Sequence, residues 1–186
     1  MTKELELKLV EKYPDLLRDY GGDCRTTCMA WGIECSDQWY NILDHLFGYL
    51  TSLMKSKLYI RYTEEYRKKN NVFDFKMDSP KIVLDQVKSK FSSLRCYYHG
   101  ENQEVAPEIM ENLCQKSYDK ELERFWNRVD DAIDFAEYQT SVICEECGKE
   151  GKLYTKGWWV VLCDEHAKKK NYDIVKDSTE VVYGED

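Results

Sequence analysis

The feature that most constrains this chain is a pattern of four metal-ligand side chains in its last quarter. Cys144 and Cys147 form a CxxC pair, Cys163 and His166 form a CxxH pair, and fifteen residues separate the pairs. Two intervening residues let both side chains of a pair face one ion, and the segment between the pairs is long enough for a hairpin. Three thiolates and one imidazole fill a tetrahedral shell, so the pattern predicts a closed, structural Zn²⁺ site in a zinc ribbon. Gly148 supports this prediction because the turn after a CxxC pair requires a permissive backbone.

Composition limits the class of protein. The chain has 186 residues, of which 42% are apolar, and this fits one domain with a small appendage. The first residues are too charged for an export signal, and no stretch approaches the ~18 consecutive apolar residues of a membrane span. We therefore expect a cytoplasmic protein without membrane contact, whose eight cysteines are thiols or metal ligands rather than disulfides.

Charge is distributed unevenly along the chain. The formal net charge is −8, yet residues 51–100 hold 11 basic and 5 acidic side chains. An acidic protein is a poor non-specific ligand of duplex nucleic acid, because such binding depends on the neutralisation of phosphates. The basic segment leaves room for one local anion-binding surface, although a solvated helix face is the simpler interpretation of a charge run.

Residues 36–54 are expected to form the main core helix. Ser36 is a favourable N-cap, and apolar residues then recur every three or four positions as far as Met54. The same spacing extends to Tyr66, which leaves open a helix that continues to about residue 71.

Two further helical regions are predicted. Residues 3–13 have apolar side chains at helical spacing, and a short helical turn follows over residues 15–20. A longer pattern runs from Pro107 to about Tyr138, either as one helix or as two helices with a break near Ser117.

The β structure is predicted mainly between residues 72 and 100. Residues 72–76 alternate briefly, and residues 81–91 and 94–98 read as two strands of a hairpin that turns at Ser92-Ser93. A second hairpin, between Leu153 and Leu162, is expected inside the zinc ribbon. The fold class is therefore α+β, with long amphipathic helices packed on a small antiparallel hairpin or sheet and a zinc ribbon at the C-terminal end.

We divide the chain into three parts on this basis. Residues 1–140 are expected to form the α+β body, residues 141–168 the ribbon, and residues 169–186 a tail. The tail either adds a short strand, through Ile174-Val175 or Val181-Val182, or is flexible.

A second group of thiols lies in the loop before the core helix. A metal site built from Cys24, Cys28 and Cys35, with His45 as a fourth ligand, is one interpretation. Their spacing matches no common knuckle, so free thiols are the favoured interpretation.

Three segments resemble one protein family. Residues 31–40 read WGIECSDQWY and resemble a WGxECGDGWY-type motif, and residues 86–97 read QVKSKFSSLRCY and resemble QVKxKFGGLRFY. The CxxC and CxxH pairs resemble the ribbon that closes the same proteins. This family comprises small uncharacterised proteins of tailed bacteriophages and prophages, and the resemblance implies a phage origin, the host cytoplasm as the location, and the zinc ion. It implies no activity.

The chain departs from the family pattern at four positions. Each of them has a polar side chain where the pattern has glycine: Ser36, Gln38, Ser92 and Ser93. Turns can form without these glycines, but a role that requires bare backbone beside a ligand is placed in question.

Polar, basic and aromatic residues gather around the two family motifs and predict a ligand surface. Lysine and arginine can contact phosphate, and aromatic rings, Tyr97 among them, can stack on a base. We expect a non-catalytic protein that binds a host or defence component, or sequesters a small, anionic, nucleotide-like ligand. The candidate contact residues are Trp31, Glu34, Asp37, Trp39, Lys88, Lys90, Arg95 and Tyr98.

Two alternative functions are weighed against this one. Nucleic-acid binding through the ribbon is opposed by the acidic residues that flank its ligands, which are Glu145, Glu146, Asp164 and Glu165. A hydrolase would use Glu34, Asp37 and Asp44, with His45 beside them, but no nucleophile motif, phosphate loop or open metal triad supports it. A homo-oligomer is left open.

Overall fold

The computed structural model describes residues 1–175. Helices and strands are interspersed along this range. In chain order they are α1 (Lys3–Lys12), β1 (Ile33–Glu34), α2 (Tyr40–Met54), β2 (Lys57–Arg61), α3 (Glu64–Asn70), β3 (Asp74–Asp78), β4 (Lys81–Lys90), β5 (Ser93–Glu101), α4 (Pro107–Met110), α5 (Gln115–Thr140), β6 (Lys152–Thr155), β7 (Trp159–Leu162), α6 (Asp164–Lys170) and β8 (Asp173–Ile174).

The strands form three small sheets, so the chain combines α and β structure as expected. In the first sheet β4 lies between β1 and β5, in the second β2 pairs with β3, and in the third β6 lies between β7 and β8. The first sheet is mixed rather than antiparallel, because β1 runs parallel to β4 while β5 runs antiparallel to it. Ile33 and Glu34 of β1 pair with Val87 and Lys88, and this register brings the segment 31–40 beside the segment 86–97.

The core helix is shorter than its apolar spacing allowed. Ser36 caps a short 3-10 turn over Asp37–Trp39 by accepting the N–H of Gln38, and α2 follows directly. The helix ends at Met54, and β2 begins at Lys57 after two intervening residues, so the continuation to residue 71 is wrong. Leu58 and Ile60 of β2 are buried while their neighbours are exposed, which is the two-residue period of a strand paired on one face.

The long helix α5 covers the outer edge of β5. The Leu94 N–H donates to Thr140 Oγ1 at 2.8 Å, and the Tyr98 hydroxyl donates to Asp130 at 2.6 Å. Trp126 packs so closely on Gly100 that a Cβ at Gly100 would lie 2.1 Å from its ring. The exposed edge of the sheet is thereby closed by a helix, which prevents pairing with another chain.

Residues 107–140 form two helices. The break comprises residues 111–114, between α4 and α5, and not Ser117, which lies in the first turn of α5. Buried residues recur along α5 every three or four positions: Phe125, Val129, Ile133, Ala136 and Thr140. This stripe packs against the body core with α2.

The hairpin of the first sheet turns one residue earlier than expected. Lys90 pairs with Ser93, so Phe91 and Ser92 are the two central residues of the turn. Both have positive φ, 53° and 69°, as a type I′ turn requires. Of Ser92 and Ser93, only Ser92 occupies a backbone conformation that favours glycine.

The C-terminal lobe, which we define as residues 141–175, contains the third sheet and α6. Its hairpin joins β6 to β7, as expected, and β8 adds a third strand through Ile174. The other strand expected for the tail, Val181-Val182, lies outside the described residues. None of the described helices has both the length and the apolar character that crossing a bilayer requires.

Candidate metal centre and predicted ligand surface

Four ligand atoms of the C-terminal lobe meet in one cluster. The Sγ atoms of Cys144, Cys147 and Cys163 and a ring nitrogen of His166 all lie within 4.8 Å of one another. The separation is 3.9 Å between the sulfurs of Cys147 and Cys163, 3.5 Å between Cys144 Sγ and His166 Nδ1, and 3.2 Å between Cys163 Sγ and His166 Nδ1. Atoms about 2.3 Å from a tetrahedral ion are about 3.8 Å apart, whereas a disulfide places its sulfurs at about 2.05 Å. The spacing is compatible with a shared metal ion and excludes a disulfide.

Local backbone structure positions each pair of ligands. After the first pair, Gly148 has φ 71°, and its N–H donates to Cys144 O at 2.9 Å to close the knuckle. The second pair lies at the start of α6, where Cys163 is the N-cap and His166 is in the first helical turn. A tight turn and a helix start therefore hold the two pairs facing each other, with β6 and β7 between them.

Backbone donors favour the thiolate at the buried ligand. Burial raises the pKa of the Cys144 thiol, but hydrogen bonds from the backbone N–H groups of Cys163, Glu146 and Cys147 outweigh burial and lower that pKa to about 7. A metal binds the thiolate rather than the thiol, so a lowered pKa at Cys144 favours metal binding near neutral pH.

One hydrogen bond links the metal cluster to the body. The Ser36 hydroxyl donates to Glu145 O at 2.6 Å, and Glu145 lies between the two cysteines of the first pair. The same hydroxyl oxygen accepts the Gln38 N–H at the start of the core-helix segment. Ser36 thus joins the segment 31–40 to the turn that holds Cys144 and Cys147.

The predicted ligand surface is only partly assembled. Glu34, Lys88 and Arg95 form one row across the three strands of the first sheet, since Glu34 pairs with Lys88 and Lys88 with Arg95. Tyr97 is on the same face, with Lys88 Nζ 5.7 Å from its ring centroid. Strand register brings these residues together although they are far apart in sequence.

The charges of this row are largely satisfied. The Arg95 guanidinium donates to Glu137 Oε2 at 2.8 Å and also to Ser93 Oγ and Leu94 O. Burial raises the pKa of Glu137, and the positive charge of Arg95 opposes that rise. Arg95 therefore neutralises a half-buried carboxylate of α5, so fewer of its N–H donors and less of its positive charge are available to a ligand phosphate.

Several predicted contact residues have other positions. Trp39 has no exposed surface, so it belongs to the core and is not open to a stacked base. The side chain of Tyr98 packs against α5, where its ring is stacked on that of Trp126 with centroids 6.0 Å apart, and it is not beside Lys88. Trp31 is 67% exposed, and Lys90 is exposed near the hairpin turn.

The carboxylates of the hydrolase alternative belong to different networks. Asp37 accepts the Thr2 N–H at 2.6 Å, and Asp44 pairs with Lys12 at 2.7 Å and accepts the Tyr13 hydroxyl at 2.8 Å. His45 lines a groove of about 410 Å³ between α2 and α5. Each of the two aspartates holds a neighbouring segment in place.

The three thiols of the early loop do not gather. Cys24 and Cys28 are exposed, and burial raises the pKa of Cys35 to about 12, so it is held as a thiol. Among the described residues, the only cluster of three or more potential ligands that could hold a metal ion is the C-terminal one.

Two features were missed at the level of sequence. Glu6 is a buried carboxylate that accepts the Ile33 N–H at 3.1 Å and the Tyr20 hydroxyl, so it anchors the first motif, yet nothing marks it apart from other charges of α1. A cavity of about 490 Å³ between β2, α3 and the start of α5 is lined in part by Arg61 and Arg67. Both arginines lie in the basic segment. If residues 58–71 continued the core helix, both would lie on its solvated face, so nothing in the sequence indicated a cavity.

Comparison of the chain with protein-family models, with curated proteins and with solved structures gave no significant match.

Proposed function

We propose that this chain is a non-catalytic zinc-binding protein of a phage, which acts in the host cytoplasm by binding a host or defence protein. The observation that supports zinc is the group of four ligand atoms within 4.8 Å, from three cysteines and one histidine. The phage origin rests on the resemblance of the three motifs.

The donor set suits zinc more than other common ions. Thiolates with an imidazole in tetrahedral array are typical of Zn²⁺, whereas Mg²⁺ and Ca²⁺ prefer oxygen ligands. Four protein ligands leave no coordination position for a water or a substrate, so the ion stabilises the lobe and does not take part in a reaction.

A catalytic role has little geometric support. General acid–base catalysis requires groups that converge on one substrate atom. Asp37 and Asp44 are each engaged by other segments, and Glu34 faces Lys88 on the sheet. Carboxylates that hold segments of the fold together agree better with a binding function than with a catalytic one.

The surface that best supports a protein partner lies on the C-terminal lobe. Trp158 and Trp159, at the turn between β6 and β7, are 75% and 48% exposed. Exposed tryptophans are costly in water and are enriched among the residues that dominate protein interfaces. The metal ion would hold this hairpin rigid, which lowers the entropy cost of binding.

Metal analysis of the purified protein tests the zinc assignment. We expect one Zn²⁺ per chain by plasma mass spectrometry, and its loss in Cys147→Ser. Cys24→Ser is the matched control, because Cys24 is exposed and lies outside the cluster. Iron in place of zinc, or metal retained in Cys147→Ser, would contradict the assignment.

Site-specific photo-crosslinking in host cells tests the partner. A photoreactive amino acid at position 158 should capture one host or defence protein, whereas the same group at Phe73, which is 67% exposed on the body, should not. Trp159→Ala should weaken the capture. Equal capture at both positions would refute the proposed surface.

Two simple measurements decide the alternatives. Tight binding of an oligonucleotide at moderate salt would favour a nucleic-acid function despite the acidic residues around the ligands. Nucleotide binding that is lost in both Lys88→Gln and Arg95→Gln would favour a small ligand on the first sheet.

A further inference from the structure

We propose that the cavity between β2, α3 and the start of α5 binds a small phosphorylated ligand through Arg61 and Arg67. This inference goes beyond the proposed function and does not depend on it, since the cavity belongs to the body and not to the C-terminal lobe. Its volume of about 490 Å³ falls within the roughly 300–1,000 Å³ of small-molecule sites.

The two arginines are distinguished by what they do not contact. Within residues 1–175, neither guanidinium forms a hydrogen bond or an ion pair with another side chain or with the backbone; Arg67 only lies against the Phe73 ring, at 5.8 Å from the centroid. Four other arginines each have a carboxylate partner: Arg18, Arg25, Arg95 and Arg124. Two unpaired guanidinium groups in one cavity form a concentrated positive charge with ten N–H donors available.

Arg67 gives an independent sign of a missing acceptor. Its Nε atom is buried, and no described residue offers it a hydrogen-bond partner. Buried polar groups are nearly always hydrogen-bonded, so an orphaned guanidinium nitrogen at the wall of a cavity calls for an acceptor from outside the described residues.

The start of α5 adds to the positive potential. This helix has 26 residues, its N-cap Cys114 makes no side-chain capping bond, and Gln115 lines the cavity. The free N–H groups of a helix start carry a partial positive charge. One carboxylate, that of Glu64, also lines the cavity, but Lys68 Nζ lies 3.9 Å from it, so the wall remains positive overall.

These features define the class of ligand. Planar guanidinium groups bind phosphate oxygens in pairs of parallel hydrogen bonds, and two of them can hold one phosphate or two adjacent phosphates. Tyr62, whose ring lies 4.7 Å from that of Tyr66, forms an apolar wall beside the arginines for the organic part of the ligand.

Calorimetry with inorganic pyrophosphate and with ADP tests the site on the full, zinc-loaded chain. Both probes should bind, and Arg61→Gln and Arg67→Gln should each weaken binding by about 10- to 100-fold, the value of a hydrogen bond to a charged group. Arg67→Lys keeps the positive charge but loses the planar guanidinium group that forms paired hydrogen bonds. Its affinity for each probe should therefore lie between those of wild type and Arg67→Gln. Arg128→Gln is the matched control, since Arg128 is exposed and lies on the separate groove between α2 and α5.

A second measurement reads the site without relying on those variants. Cys114 lines the cavity, so its alkylation by iodoacetamide, followed by peptide mass spectrometry, should slow when pyrophosphate is present, while that of exposed Cys24 should not change. Three outcomes would overturn the proposal. They are no binding of either probe at millimolar concentration, an equal loss of affinity in Arg128→Gln, and binding of single-stranded oligonucleotides but not of pyrophosphate. Unchanged melting temperatures in the arginine variants would exclude misfolding as the cause of a loss.

Discussion

The body and the C-terminal lobe are stabilised by different means. One apolar cluster of 27 buried residues holds the body together, whereas the corresponding cluster of the described lobe has four buried residues: Cys144, Tyr154, Leu162 and Ala167. A segment this small cannot bury enough apolar surface to offset the entropy lost on folding. We infer that a metal ion held by the Cys/His cluster would give the lobe the stability that side-chain packing gives the body.

Among the predicted changes, removal of the metal should lower stability the most, and the unfolding that it causes should be confined to the lobe. Structural zinc contributes about 10–16 kcal/mol of apparent free energy in zinc-finger peptides, so chelation should unfold residues 141–175. Hydrogen exchange should then become fast at Val160 and Val161 and stay slow at Leu43 and Leu50, which lie in the body core. Loss of protection in the body as well would show that the two regions fold as one unit and would contradict this prediction.

A large-to-small substitution in the body core should destabilise the body and leave metal binding by the lobe unchanged. Phe47 is fully buried, and Phe47→Ala should lower the free energy of unfolding by about 3–5 kcal/mol through lost burial and the void left behind. Urea denaturation should show this loss, while zinc content under native conditions should not change. Phe135→Ala is the control, since this phenylalanine is 61% exposed and its removal should cost little.

The ion pair between β5 and α5 should have an intermediate effect that depends on pH. Arg95→Gln leaves the half-buried Glu137 without its charged partner, at a cost of about 1–3 kcal/mol. Burial already raises the pKa of Glu137, and loss of Arg95 should raise it further. A carboxyl whose pKa is higher in the folded state binds more protons there, so its contribution to stability is present at low pH and is lost as pH rises through the folded pKa.

This pH dependence can be measured directly. Unfolding free energies of wild type and Arg95→Gln should diverge as the pH rises from 4 to 7, and carbon NMR of the Glu137 carboxyl should report the higher pKa. Glu137→Gln in the Arg95→Gln background should remove the divergence. A constant difference between the two proteins at every pH would contradict the assigned role of Glu137.

The smallest expected effect is a gain in stability at the hairpin turn. Ser92 has φ 69°, which costs an L-residue about 1–2 kcal/mol, and the entropy cost of glycine offsets part of this. Ser92→Gly should therefore raise the free energy of unfolding of the body by about 0.5–1 kcal/mol. Ser93→Gly should lower it, because Ser93 is a strand residue whose hydroxyl accepts from Arg95. Thermal denaturation of the two variants checks the opposite signs.

Local sequence signals were sufficient for the elements whose cause is local. The CxxC and CxxH pairs predicted the cluster of ligands, Ser36 predicted the cap before α2, and the alternation after residue 93 predicted β5. Spacing alone could not separate β2 from a longer helix, since Leu58 and Tyr66 fit a helical period while Leu58 and Ile60 fit a strand. Pairing with β3, whose residues lie 13 to 21 positions later in the chain than their partners in β2, decided the outcome.

Residue roles that depend on distant contacts could not be predicted. Trp39 was expected on the ligand surface because it lies in a motif with polar neighbours, but burial depends on how α2 packs. Arg95 was expected to face a ligand, and its partner Glu137 lies 42 residues later. The cavity of Arg61 and Arg67 forms only where β2, α3 and α5 meet.

The position of α5 along β5 has a consequence for synthesis on the ribosome. The outer edge of β5 obtains its partner only when Thr140 has emerged, about forty residues after the hairpin itself. Until then the nascent chain presents an unpaired strand edge, which is the kind of surface that joins neighbouring chains into aggregates. Nascent chains from which the hairpin but not Thr140 has emerged should therefore require a chaperone, and chains from which all of α5 has emerged should not.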